Sequence, residues 1–258
     1  MPHSISAAII TFNEEANIRR CLESIRWVDE MIVVDAGSTD DTLKTCEEYH
    51  CRVFNHEWEG YGRQKNFAIG QATGDWILSL DADEEVTPEL AKEVRAAVGS
   101  GSPTEAYAMP RSNLFLGKWM RHGGWYPDRQ VRLFKRGRAE FKDVPLHEHI
   151  VMHDRSVRIG LLKSPLLHYT YPSVRSFIER ANSYTTIEVA AMVKEGRLPK
   201  RPLLALVTGF PLKFVETFIY KCGWQDGLHG FIAAVLMATR VFIRQVKIWE
   251  ASIKADGT

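Results

Sequence analysis

Residues 30–41 read Glu-Met-Ile-Val-Val-Asp-Ala-Gly-Ser-Thr-Asp-Asp. The apolar, β-branched run Glu30–Asp35 has the composition of a buried strand, and Gly37 permits a tight turn directly behind it. A helix is expected from Asp40 to Tyr49, with Ser38 and Thr39 as candidate caps. The same unit recurs on both sides. Upstream, the short apolar run Ser6–Thr11 precedes a segment, Glu14–Trp27, with helical spacing at Ile18, Leu22 and Ile25. Downstream come a weak strand at Arg52–Asn55, a helix at Gly62–Ala72 and a strand at Asp75–Leu80. Thr87 and Pro88 then open a helix over 88–98 with a cap and an N1 proline. Strands alternating with helices at this pace predict βαβ units, a parallel sheet and right-handed crossovers. Ligands of such sheets bind outside the carboxyl ends of the strands.

From 100 to 172 the texture changes. Strands are expected at Gln130–Phe134 and Lys163–Tyr169, separated by aromatic, glycine-rich and basic loops. Val174–Lys194 reads as a helix, and a Gly/Pro-rich link over 196–202 leads into an apolar helical tail. The expected division is a domain over 1–172 and a helical extension over 173–258.

Composition narrows the function. With 33 Lys+Arg against 32 Asp+Glu the formal charge is +1, which argues against a nucleic-acid binder driven by bulk charge. The four cysteines, Cys21, Cys46, Cys51 and Cys222, form no CxxC pair and no metal-finger spacing, so reduced thiols of a cytoplasmic chain are expected. The first residues lack a basic n-region and meet acid early, unlike a secretory signal. The charge-free run Gly227–Thr239 is 13 residues long, short of the ~20 that a spanning helix needs.

Four polar stretches stand at or near strand ends: Thr11-Phe12-Asn13-Glu14-Glu15, Asp35-Ala36-Gly37-Ser38-Thr39-Asp40-Asp41, Gly60-Tyr61-Gly62-Arg63-Gln64-Lys65-Asn66 and Asp81-Ala82-Asp83-Glu84. In this order and at these intervals they resemble the family 2 glycosyltransferases over roughly residues 5–170. The resemblance implies an α/β architecture of the GT-A type: a Rossmann-like, mostly parallel sheet flanked by helices, here with a C-terminal helical extension. It implies an inverting, metal-dependent transfer from a nucleotide sugar. Asp83 would ligate Mg2+ or Mn2+, and Asp81 would lie near the ribose or a metal-bound water. Asp35 would accept from the imide of uracil, an edge that thymine also presents, while Thr11, Asn13 and Glu14 hold base and ribose. Arg63 and Lys65 stand where the family keeps basic residues facing the diphosphate. Two aspartates leaving a strand end suit this chemistry, because a hard cation bridges carboxylate and phosphate oxygens.

Inversion also requires a base for the acceptor hydroxyl. Glu148, in Val144-Pro145-Leu146-His147-Glu148-His149, matches the element that carries the base in similar enzymes; Asp143 and Asp128 are the alternatives. His147, His149 and His153 open a zinc-site alternative without a hydrolase signature. His168 is read as either a third metal ligand or a buried structural histidine. Trp125, Arg129 and Arg132 lie in an aromatic, basic stretch suited to an acceptor sugar that carries anionic groups.

The tail holds a separate signal. Residues 196–258 carry nine Lys/Arg and four acids. Arg240, Arg244, Lys247, Glu250 and Lys254 make one narrow helical stripe beside a broad apolar surface. Such a helix reads either as an interfacial membrane element or as packing on the catalytic domain or a second subunit. Residues 218–230 resemble the tail of enzymes similar to lipopolysaccharide-core β-1,4-glucosyltransferases. The expected activity is therefore transfer of glucose from UDP-glucose to a lipid-linked saccharide, the lipopolysaccharide inner core, by a protein peripheral to the cytoplasmic face of the inner membrane. An oligomer is possible, and nucleic acid is not an expected partner. The alternatives are a polyprenyl-phosphate or other glycan or protein acceptor, and a non-catalytic glycan-binding module. The absence of GxGxxG after the first strand, and of a Walker loop, argues against dinucleotide and P-loop chemistry.

Overall fold

The computed structural model describes residues 3–144, 148–198 and 202–256. The first strands and helices follow the expected alternation: β1 Ile5–Thr11, α1 Ile18–Ser24, β2 Glu30–Asp35, α2 Thr42–Glu48, β3 Arg52–Asn55, α3 Tyr61–Gly70, β4 Trp76–Asp81, the short β5 Glu84–Val86, and α4 Pro88–Gly99. Thr87 caps α4, its Oγ1 accepting from the Leu90 amide at 3.2 Å, with Pro88 in the first turn. Ser38 and Thr39, by contrast, do not cap α2. Its N-cap position is Asp41, without a side-chain cap bond, and Ser38 and Thr39 bond Asp35 and Asn13 instead.

The remaining strands are β6 Ala106–Phe115, β7 Lys118–Trp119, β8 Asp128–Lys135, β9 Ala139–Phe141, β10 Ile150–Met152, β11 Ile159–Leu161 and β12 Leu166–Tyr171. Among the described residues the main sheet runs β3-β2-β1-β4-β8-β6-β12-β5, with β11 and β7 on β6; β9 and β10 make a separate pair. β3, β2, β1 and β4 are parallel, and β8 joins β4 antiparallel. Parallel register sets Thr11 beside Asp35 and Ile10 beside Asp81, so the polar ends of three strands form one row.

The chain divides into two compact units, Met1–Arg111 with Asp128–His168, and Ser112–Pro127 with Tyr169–Thr258. The sequence places 112–127 with the catalytic domain; the structure groups it with the helices. In the first unit the two sheet faces bury different helices, as alternation along each strand requires. Ile5, Ala7, Ile9, Leu78 and Leu80 pack with α1 and α4 through Ile18, Leu22, Leu90 and Val94. Ala8, Ile10, Ile32, Val34 and Ile77 pack on the α3 side with Ala68 and Phe67.

The second unit holds α5 Val174–Lys194, α6 Pro202–Val215, a π-helical turn at Glu216–Tyr220, a 3-10 turn at Gly223–Asp226 and α7 Gly227–Asp256. Ser173 opens α5 with a capping box shared with Ser176. At Gly230 an added Cβ would collide with the carbonyl oxygen of Gly223, so only glycine lets α7 pass that turn. No helix among the described residues is long and apolar enough to cross a membrane. Three residues of the basic stripe of α7 reach across to α5 while keeping partial exposure. Arg240 and Arg244 pair with Glu188 of α5 at 2.5 and 3.1 Å. Lys247 donates to the Asn182 carbonyl and to the Thr185 and Thr186 hydroxyls. For these three residues the contacts are those of helix-to-helix packing, one of the two readings expected from the sequence.

Candidate active site

Two loops leave β1 and β2 and lock together. Asn13, with a left-handed φ of 53°, donates its amide to Ser38 Oγ at 2.8 Å, and its Oδ1 accepts from the Thr39 amide at 2.8 Å. Asparagine tolerates this conformation better than most residues. The Glu14 amide donates to Thr42 Oγ1 at 2.8 Å. Asp35, fully buried, organises its own turn: Oδ2 accepts from the Gly37 and Ser38 amides, each at 2.8 Å, and Oδ1 accepts from Ser38 Oγ. Gly37 supplies the φ of 95° that the turn demands. A carboxylate has about four acceptor positions. Among the described residues three are filled, two on Oδ2 and one on Oδ1. Thr11 Oγ1, beside Asp35 in the register, is buried and has no partner among the described residues.

The second half of the site is a chain of alternating charges. Lys65, on α3 and only 4% exposed, places Nζ 2.8 Å from Asp81 Oδ1 and 2.8 Å from Glu148 Oε1. Arg132 Nη2 lies 2.6 Å from both Asp81 Oδ2 and Glu84 Oε1. Arg111 reaches Glu84 at 3.2 Å and Asp128 at 2.6 Å. Glu84 also accepts from the Asp81 amide at 3.0 Å, so it braces both the backbone and the side-chain partner of that residue. Burial by itself would push the Asp81 carboxyl up; the Arg132 and Lys65 charges outweigh burial and hold it well below the usual carboxylate range. Burial likewise disfavours the Arg132 charge, and Asp81 and Glu84 overcome it. The Asp81 side chain keeps 24% exposure, enough for an incoming group to reach it.

A β-bulge aims Arg132. Pairing between β6 and β8 passes from Tyr107↔Leu133 to Ala108↔Val131, skipping Arg132. Two residues of β8 thus oppose one, a device that re-aims side chains next to active sites.

Asp83 and His168 form the third part. Antiparallel pairing of β12 with β5 sets His168 opposite Glu84, and His168 Nε2 lies 3.3 Å from Asp83 Oδ2. Both residues are buried. The pair fits a divalent cation in part: one hard oxygen and one imidazole, which Mn2+ accepts, with other positions open to phosphate oxygens and water. Among the described residues no three His, Cys, Asp or Glu side chains come together as a complete metal set.

Of the residues expected from the sequence, Thr11, Asn13, Glu14, Asp35, Lys65, Asp81, Asp83, Glu148 and His168 all belong to the first unit: Lys65 on α3, His168 within β12 and the others at strand ends or in loops. Arg63 is exposed and pairs with Asp143 at 2.8 Å. The acceptor set is different. Arg132 is buried and bound to two carboxylates, so it positions Asp81 and Glu84 and has no face for an acceptor. Trp125 is a core residue of the second unit, packed between Phe115 and Tyr171 at ring separations of 5.9 and 6.0 Å. Arg129 is exposed on β8 and alternates with Asp128 and Gln130, which bond each other at 2.7 Å. For the zinc alternative, His147 lies outside the described residues, and His153 faces Glu140 and the Gly137 carbonyl. Glu84 and Arg111 are site residues that sequence reading missed. The signal for Glu84 is its place in the acidic run; Arg111 sits in a strand whose Pro110 disguises it.

Residues 6–155 match the family model described as Glycosyl transferase family 2. The chain belongs to this family. An uncharacterized glycosyltransferase of Rickettsia felis is 31% identical, with 98% of this chain and 92% of that protein covered. The lipopolysaccharide core biosynthesis glycosyltransferase LpsC of Rhizobium meliloti is 28% identical, with 95% of this chain and 92% of that protein covered. The crystal structure of glucosyl-3-phosphoglycerate synthase from Mycobacterium tuberculosis with Mn2+, UDP and glucosyl-3-phosphoglycerate has a TM-score of 0.50 at 17% identity, covering 77% of this chain and 82% of that one. That likeness is one of fold, and this glycosyltransferase has the GT-A architecture.

Proposed function

We propose that this glycosyltransferase moves glucose from UDP-glucose to a lipid-linked saccharide, the inner core of lipopolysaccharide, with inversion, at the cytoplasmic face of the inner membrane. The observation that carries the reading is the convergence of Asp35, Asp81, Asp83, Lys65 and Glu148 on the carboxyl-end edge of the parallel strands. The acceptor class follows the lipopolysaccharide core enzyme that is similar over nearly the whole chain.

In this reading the remaining acceptor position of Asp35 takes the uracil imide, and the loop of Thr11, Asn13 and Glu14 holds base and ribose. Asp83 and His168 would hold Mg2+ or Mn2+, with Asp81 as the neighbouring carboxylate of the same strand end. When bound, the ion neutralises charge on the departing diphosphate. Arg63 stands at the mouth of α3 and adds positive charge toward the same group. Glu148 takes the proton of the acceptor hydroxyl while that oxygen bonds the anomeric carbon and the bond to UDP breaks. The Lys65 ammonium occupies a Glu148 oxygen at 2.8 Å. An arriving diphosphate competes for Lys65, so donor binding frees the base it will need.

Asp83→Ala tests the reading. Transfer in a metal-titrated assay should fall to background, and metal-dependent UDP binding should vanish, with the unfolding midpoint retained. Activity within about tenfold of the unaltered protein, less than ~1.4 kcal/mol of barrier, would remove Asp83 from the site.

A further inference from the structure

The stretch following β7 is held by a buried carboxylate with no part in the site above. Asp226, 4% exposed, accepts from the Arg121 amide at 3.1 Å and the His122 amide at 2.8 Å. Its own carbonyl accepts from Lys118 Nζ at 2.7 Å, and the Gly123 amide donates to the Lys221 carbonyl at 2.7 Å. All of these residues belong to the second unit. This pinning fixes Arg121, whose guanidinium carbon stands 4.3 Å over the Trp119 ring; Tyr126 meets that ring edge-on at 5.3 Å. Arg121 and Lys118 are exposed, and neither has a carboxylate partner among the described residues. A stacked guanidinium keeps its N–H edge for a planar or tetrahedral anion, in the geometry that favours two parallel hydrogen bonds.

The segment that pins this loop is itself unusual. Ile219, Tyr220, Trp224 and Leu228 are 52%, 80%, 55% and 69% exposed. A turn that presents large apolar and aromatic side chains to solvent, while its backbone and buried aspartate fix two unpaired cations, combines an apolar surface with an anion site. Aromatic residues with one apolar body and one polar edge suit a lipid–water boundary.

We infer that the Lys118–Arg121 loop and the 219–228 turn together form the seat of the acceptor: an anionic glycolipid whose phosphate or carboxylate meets Arg121 and Lys118, and whose apolar part lies on Tyr220 and Trp224. Asp226 is a positioning residue. The inference deepens the acceptor reading above and rests on it for the saccharide. Charge complementarity selects this occupant, because a second copy of the chain would bring the same cations to the same surface.

The test is vesicle flotation of the full chain. One arm uses phosphatidylcholine vesicles doped with a phosphorylated, acylated disaccharide; the other uses phosphatidylglycerol at equal charge. The glycolipid should bind at least about tenfold more tightly than phosphatidylglycerol, and Lys118→Ala with Arg121→Ala should erase that preference. Tyr220→Ser with Trp224→Ser should weaken binding to both vesicles. UDP affinity by calorimetry, measured in parallel, should be unchanged in every variant, which confirms folding. Equal binding to both vesicles, or a preference that survives loss of Lys118 and Arg121, overturns the seat. Failure of the unaltered protein to bind UDP would instead sink the donor reading, and the vesicle comparison would still judge the seat.

Discussion

Lys65, Arg111 and Arg132 in the first unit are the same kinds of residue as Arg240, Arg244 and Lys247 in the second, with opposite uses. The first three converge on Asp81, Glu84, Asp128 and Glu148, and Lys65 and Arg132 are almost wholly buried. The second three lie along one helix and reach across to Glu188 and the Asn182–Thr186 stretch of α5 while keeping partial exposure. Charges that converge in a dry site make each partner expensive to remove, since the survivor is left buried and uncompensated. Charges spread along a helix are screened by water, and each contributes little. Dense, buried alternation thus makes each residue costly to replace, whereas a half-exposed stripe fastens helices at little cost per residue.

The largest effect should come from Glu148, the proposed base at one end of the buried chain. Glu148→Gln keeps a hydrogen-bonding partner for Lys65 but cannot take a proton, so transfer should fall ~10²–10⁴-fold with UDP affinity retained. Steady-state transfer beside calorimetry checks this, with Asp128→Asn and Asp143→Asn as controls. Asp128 is tied to Arg111 and Asp143 to Arg63, so collapse in either control with normal turnover in Glu148→Gln would move the base.

Arg132→Met strips Asp81 and Glu84 of their shared cation and should lower unfolding free energy by about 3–5 kcal/mol in urea denaturation. Its pH dependence sharpens the point. Asp81 is held below its ordinary value, so its stabilisation is fully present above about pH 4 and is lost as pH falls through the depressed value. The gap between Arg132→Met and the unaltered protein should therefore stay flat from neutral pH down to about 5 and narrow below about 4, where the Asp81 carboxyl, left with Lys65 as its cation, protonates. A gap that widens on acidification would contradict the pairing.

The smallest effect belongs to the second unit. Glu188→Gln removes the carboxylate shared by Arg240 and Arg244, both partly exposed, and should lower stability by about 1 kcal/mol or less. It should leave UDP affinity unaltered. A loss as large as that of Arg132→Met would erase the distinction between the two kinds of charge.

Much of the first unit was legible because its evidence is local. The strands at 5–11, 30–35 and 76–81 announce themselves by apolar runs, and Thr87-Pro88 marks a helix start through a cap and a fixed φ. β6 escaped notice, because Pro110, Arg111, Ser112 and Asn113 interrupt its apolar pattern; the strand is stabilised by its neighbours' hydrogen bonds, not by its composition. Ser38 and Thr39 had the right chemistry for a helix cap, yet two loops from different strands compete for them and win.

The chain's own order of residues determined the alternating architecture, the acidic strand ends and the family, since each depends on periodicity or on neighbours within a few positions. Only the tertiary structure decided which cation meets which carboxylate. Lys65 and Glu148 are 83 positions apart, and Arg132 and Asp81 are 51 apart. Their meeting depends on sheet order, on a bulge at one residue and on burial that makes an unpaired charge costly. The same holds for α7: its charged stripe is periodic in sequence whatever it meets, and only the fold brings Glu188 of α5 to Arg240 and Arg244.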